Sequence, residues 1–300
     1  MRLFSILAFC GIAAGPGLSG AAGGAYGTGS RPETIVRTVY VTVTDGQGSA
    51  VPDLGPADFT LKEGGKEREV IKAQPATARM RLTVMAEERL LGDGSVRLGL
   101  FEFMKRLQPT AETAFITIGL RNTTVVNYTT DLNAIVAGIN GLPHNPSPNS
   151  NLTEGILDIG KALERDHAER QVLVVVALAG GQAGGASSNE VLNQLRQSGA
   201  TMNVVSISTN QATGAVGSLA DESNREQVLG DGVKQSGGRR VEISAGVNVP
   251  KALQQIAGDL SAQYVLQYAL PDGVKPDRRL NVSLKRRGVS VRAPSLVPDR

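Results

Sequence analysis

The chain has 300 residues, 41% of them hydrophobic and 20% charged. That composition excludes global disorder and leaves room for one large or two modest domains. Aromatic residues make up only 4%, with no Trp, so stacking platforms for sugars or bases are not expected. The formal net charge is +3. Lys285, Arg286, Arg287 and Arg292 read as a solvated strand edge that discourages edge-to-edge pairing, and no nucleic-acid-binding motif accompanies them.

Residues 1–25 read as an export signal. Arg2 gives a minimal positive start, residues 3–14 are apolar, and a small-residue stretch offers cleavage near Ala22. The apolar run is too short to span a bilayer, so no stable membrane span is expected after signal removal. The single cysteine, Cys10, lies within this segment behind Phe9, where a lipoprotein signal needs a small residue. A chain cut here has no cysteine left for disulfides, thiol chemistry or thiolate metal sites.

Residues 31–75 predict a small all-β unit. A β-branched segment over 35–44 runs into the turn Asp45-Gly46-Gln47-Gly48, and shorter strands come after it around 58–63 and 70–71. About 45 residues rarely build a stable core alone, so this unit should pack on the remainder of the chain. From residue 79 the pattern becomes α/β. Strands are predicted over 81–86, 114–120, 172–178, 202–207, 240–243 and 264–269, and helices over 96–107, 132–142, 152–164, 189–197, 226–235 and 250–260. Pro109 ends the first helix and Asp131 caps the second. The uninterrupted apolar run at 172–178 suits a strand covered on both faces. Strands at 280–284 and 289–292 form a C-terminal β extension, expected as a hairpin belonging to a domain over 79–300. The fold class is therefore α/β, a doubly wound, mostly parallel sheet, preceded by a small β-sandwich-like unit. Ligands of such sheets bind beyond the strand C-termini, here the loops 86–95, 145–150 and 179–188.

Several segments together resemble bacterial exported proteins with a von Willebrand factor A-like domain. They are Val41-Thr42-Val43-Thr44-Asp45 with Asp58-Phe59, Phe103-Met104-Lys105-Arg106-Leu107 with Phe115-Ile116-Thr117-Ile118, Thr129-Thr130-Asp131, and Ser261-Ala262-Gln263-Tyr264-Val265-Leu266. The resemblance spans roughly 35–292 and rests on their order and spacing. It implies a metal-ion-dependent adhesion site: an Asp-x-Ser-x-Ser loop, a Thr from a second loop and an Asp after the central strand. Mg²⁺ is a hard cation that such oxygens would hold. Here Ala86 stands at the first Asp position, with Glu88 and Leu90 at the Ser positions. A one-residue shift would put Glu87 first, followed by Arg89 and Leu91. Ser150 stands where Thr is usual, and Ala179-Gly180 where Ser-Asp is usual. Both principal carboxylates are missing, so no metal and no cofactor are expected. Ala86, Glu87, Glu88, Ser150, Ala179 and Gly180 become candidate partner-binding loop positions instead.

Other candidates have plainer readings. Asp93-Gly94-Ser95 suits a turn and helix cap. The run Gly180-Gly181-Gln182-Ala183-Gly184-Gly185 lacks the Lys-Ser/Thr ending of a phosphate loop and reads as a flexible loop. His167 sits at a charged helix end. His144 lies in a Pro-rich loop without triad or metal spacing. Glu87 and Glu88 form a carboxylate pair only if adjacent side chains converge. The expected function is a non-enzymatic protein-interaction module, secreted or periplasmic, with a protein partner and no nucleic acid. The alternatives are a structural envelope component binding through its β unit or C-terminal hairpin, and a hydrolase using Glu87, Glu88 or His144.

Overall fold

The computed structural model describes residues 35–142, 149–208, 217–271 and 273–298. The expected export signal with Cys10, His144, and most of the loop at 145–150 lie outside them.

A six-stranded sheet forms the α/β part. Its strands are β5 (Met80–Glu87), β6 (Ala111–Ile118), β7 (Thr123–Thr129), β8 (Arg170–Leu178), β9 (Thr201–Ile207) and β10 (Arg240–Ile243). Their spatial order is β10-β9-β8-β5-β6-β7. All pairs are parallel except β6–β7, which is antiparallel. Counted within this sheet alone, the order is 3-2-1-4-5-6, the doubly wound order with its switch point between the first and fourth strands.

Side-chain parity explains the layering. Val172, Val174 and Val176 of β8 face a core shared with helices α1 (Gly94–Leu107), α2 (Leu132–Asn140) and α6 (Val249–Ser261). Leu173, Val175 and Ala177 face the opposite core, with α3 (Leu152–Asp166), α4 (Ser188–Ser198) and α5 (Leu219–Ser236). Successive residues of a strand point to opposite faces, so a strand buried on both must be apolar throughout. All nine residues of β8 are buried.

Two elements differ from expectation. β7 fills a stretch expected to be loop. Two register shifts interrupt its pairing and leave it the antiparallel edge. Helix α5 begins seven residues before the expected 226. Ser218 Oγ accepts the Asp221 amide while the Asp221 carboxylate accepts the Ser218 amide, and this reciprocal cap starts the helix at Leu219.

The β unit is built from both ends of the described chain. One sheet has the order β13-β1-β11-β4 and the other β12-β2-β3. The strands are β1 (Ile35–Asp45), β2 (Phe59–Glu63), β3 (Lys66–Arg68), β4 (Val70–Pro75), β11 (Gln263–Leu270), β12 (Leu280–Leu284) and β13 (Val289–Arg292). Val39, Val41 and Val43 of β1 meet Phe59, Leu61, Tyr264, Leu266, Tyr268 and Leu280 in one core. The expected C-terminal hairpin does not form. β12 pairs with β2 and β13 with β1. The physical reason is the core just described: strands before residue 75 cannot cover their own apolar face, and the later strands supply the cover.

Two polar clusters join this sandwich to the α/β part, the first buried and the second partly so. Arg170, at the start of β8, donates to the carbonyls of Ala76, Ala78 and Leu260 and to Gln263 Oε1. Asp259 of α6 accepts from both Arg239 and Arg292.

Candidate functional site

The C-terminal ends of β5 and β8 lie side by side at the switch point. There the strand parity separates Ala86 from Glu87. Ala86 turns into the α1–α6 core with Leu82 and Val84. Glu87 points to the other face, toward α5, and is 0% exposed.

Both oxygens of the Glu87 carboxylate accept hydrogen bonds. Its Oε2 accepts the Leu178 amide at 2.6 Å and Arg225 Nη2 at 2.9 Å, and its Oε1 accepts Arg89 Nη2 at 3.3 Å. Arg225 is also 0% exposed. Its guanidinium bonds the Leu178 carbonyl through Nε at 3.1 Å and Nη2 at 2.7 Å, and the Gln182 carbonyl through Nη1 at 3.0 Å. Burial opposes the charge on Glu87, but Arg225, then Arg89, with Ser150 and the Leu178 amide, hold its carboxyl below the usual carboxylate range. Ser150 is buried beside this carboxylate, and its Oγ makes no hydrogen bond of regular geometry.

The two adjacent glutamates diverge. Glu88 turns away from Glu87, accepts Thr117 Oγ1 at 3.2 Å and lies against Gly119. They form no acid–base pair. Arg89 packs its guanidinium on Gly181, whose φ of +120° and lack of a side chain both permit the approach. Arg89 Nη2 also reaches the Gly180 carbonyl at 3.3 Å. Ala179 donates to the Ile207 carbonyl. Gly180 is exposed and borders open space.

The glycine-rich run after β8 is tied down, contrary to the flexible loop expected. Ala183 is buried, and its carbonyl accepts both the amide and the hydroxyl of Thr153. Glu154 accepts the amides of Gly185 and Ala186. Those amides are the donors that a phosphate would need, and a carboxylate of the chain already holds them. Asp93 caps α1 through the Ser95 amide, as its sequence suggests. His167 ends α3 in a left-handed conformation with φ of 52°.

Sequence reading missed Arg225. Its signal was positional. Residues 225, 228, 229, 232 and 233 are the buried stripe of α5, so an arginine occupies a place where the helical period calls for an apolar side chain. Starting the helix at 226 hid it.

No known family profile matches the chain, and no curated protein matches it in sequence. Solved structures show distant similarity. Proximal thread matrix protein 1 from the mussel byssus is 12% identical over 63% of this chain, with a TM-score of 0.46. This chain spans about half of that protein, 49% of its length. The SpRpn10 VWA domain is 14% identical, covering 59% of this chain and 95% of its own, with a TM-score of 0.42. BatB from Bacteroides thetaiotaomicron, a conserved hypothetical protein, is 12% identical, covering 59% and 97%, with a TM-score of 0.43. The fold itself is defined by the 3-2-1-4-5-6 strand order, the antiparallel edge and helices on both faces. The α/β part has the doubly wound order, with one antiparallel edge, that the sequence resemblance to von Willebrand factor A-like domains implies.

The residues at the strand ends where that resemblance implies an adhesion site do not fit a divalent cation. A hard cation needs about six free oxygens. Glu87 is engaged by two guanidinium groups, Ala86 points into the core and Gly180 has no side chain. Among the described residues, no three His, Cys, Asp or Glu side chains converge. An internal cation, the Arg225 guanidinium, bridges the ends of β5 and β8.

Proposed function

We propose that this chain is a non-catalytic, extracytoplasmic protein-interaction module that binds its partner without a metal, through the loops at the C-terminal ends of the parallel strands. The observation that carries this reading is the Glu87–Arg225 pair. It neutralises the central carboxylate, whose Oε2 is held by Arg225 and the Leu178 amide, so the loops are held by the chain's own charge. Leu120 follows β6 at 59% exposed and Leu219 opens α5 at 86%. Both supply apolar surface near the same end of the sheet, and exposed apolar side chains there suit a protein partner. Export of the chain by its N-terminal segment would place the interaction outside the cytoplasm.

The test is affinity capture from the native envelope with and without a chelator, alongside calorimetric titration of the purified chain with Mg²⁺ and Mn²⁺. Capture insensitive to chelator and no saturable heat support the reading. Saturable metal binding abolished by Glu87→Gln would sink it.

A further inference from the structure

Residues 275–298 hold seven basic side chains and one acid, Asp277, a net +6 on a chain whose formal total is +3. Six of the seven flank β12 in the three-stranded sheet; the seventh, Arg292, lies on β13 and bonds Asp259.

The basic side chains follow β12. Lys275, Arg278 and Arg279 precede it, Lys285, Arg286 and Arg287 follow it, and all six are exposed. Lys66 lies at the first end, because it pairs with Glu63, which pairs with Leu280. Lys62 stands between the ends, beside Asn281. At about 3.3 Å per residue the stripe from Arg279 to Lys285 is roughly 20 Å long. Among the described residues the only ion pair made by these six is Arg279 with Asp277, at 3.8 Å on the surface. The outward positions of β12 are Asn281 and Ser283, both exposed and polar, and none of the large exposed apolar side chains lies on this sheet.

Edge protection alone does not need this much charge. One or two lysines blunt a strand edge, and the tail already covers part of this one: the Leu280 amide donates to Ser295 and the Val297 amide to Arg278. Acids beside this array are few, Asp277 at Arg279 and exposed Glu67 next to Lys62, and an elongated, mostly unpaired set of cations with no apolar wedge suits adsorption on a flat anionic surface, without insertion.

We infer that the β12 face of the sandwich docks on an anionic phospholipid bilayer, leaving the upper loops of the α/β part to engage a protein. The test is co-sedimentation of the full chain with phosphatidylglycerol-containing vesicles and with pure phosphatidylcholine vesicles, at low and high salt. Binding is expected only to the anionic vesicles and only at low salt. The variant Lys285→Ser/Arg286→Ser/Arg287→Ser alters an exposed turn and should keep its thermal midpoint. At roughly fivefold per cation, it should bind about a hundredfold more weakly. The variant Arg278→Ser/Arg279→Ser should lose about twenty-five-fold by the same rule. Equal binding to both vesicles, or unchanged affinity in both variants, would overturn the inference. Retention on immobilised polyglutamate without vesicle binding would also overturn it, and would assign the stripe to an acidic protein.

Discussion

Arg225 and Glu87 stand 138 residues apart in the chain and meet at 2.9 Å with neither side chain exposed. The contact joins α5 to the end of β5, and the Leu178 carbonyl brings the end of β8 into the same cluster. Two desolvated charges gain little net stability as a pair, because leaving water costs nearly what their attraction returns. Their effect lies in what each would do alone. An unpaired carboxylate at this depth would seek a cation or a proton, and Arg225 supplies the cation from within the fold.

Removing one partner therefore costs more than removing both. Arg225→Leu leaves Glu87 buried with the longer Arg89 contact as its remaining counter-charge, and should cost about 3–5 kcal/mol. The double variant Glu87→Leu/Arg225→Leu should recover part of that loss, with a coupling on the order of 2 kcal/mol. Urea unfolding of the wild type, both single variants and the double variant measures the cycle. A double variant as unstable as the sum of the singles would show that the two groups act independently.

The same pair sets a pH dependence. Glu87 has a lower pKa folded than unfolded. Its contribution is thus fully present above the unfolded value, about 4.3, and is lost as pH falls through the folded one. Stability should decline on acidification below about pH 4.3. Glu87→Gln should be less stable at neutral pH and show a shallower acid slope. Urea midpoints collected from neutral to acid pH give both curves, and parallel slopes would remove Glu87 as the source.

Much of this architecture was legible because period and burial agree. The run Val172–Leu178 is apolar on every residue, and a doubly covered strand requires that. The β unit was legible as a small sandwich-like set of strands but not the C-terminal strands that complete it, since pairing β1 with β11 joins residues more than 200 positions apart, and local pattern carries no such information. At the site, the sequence offered candidate positions but not the Arg225 contact that Glu87 makes. The choice between Ala86 and Glu87 is a matter of strand parity, and the face bearing α5 settles it. Arg225 was hidden because a helix stripe is read from its apolar members.

Arg170 offers a test of the junction. Burial pulls its guanidinium down to about 10, which still leaves it charged at neutral pH. Its hydrogen bonds reach the linker carbonyls of Ala76 and Ala78, the end of α6 and Gln263 of β11. Arg170→Met keeps much of the volume but strands these acceptors, at about 1–3 kcal/mol for each one that stays buried and unpaired. A loss of at least about 3 kcal/mol is expected by that rule, with a single cooperative transition. Two separate transitions, the sandwich melting apart from the α/β part, would show that Arg170 holds the parts together without stabilising either.

The proposed partner face makes a different demand, since its residues should affect binding and not folding. Leu120 and Leu219 are largely exposed, so burial in the folded chain cannot be why they are leucines. Replacing each by Asp removes apolar contact area and adds a charge that a partner would have to desolvate. Surface substitutions of this kind usually change stability by less than about 0.5 kcal/mol. Leu120→Asp/Leu219→Asp should therefore unfold at the wild-type urea midpoint while losing at least tenfold in partner capture. If capture survives in this variant but fails when β12 is altered, the partner is held by the sandwich, and the upper loops must be given another role.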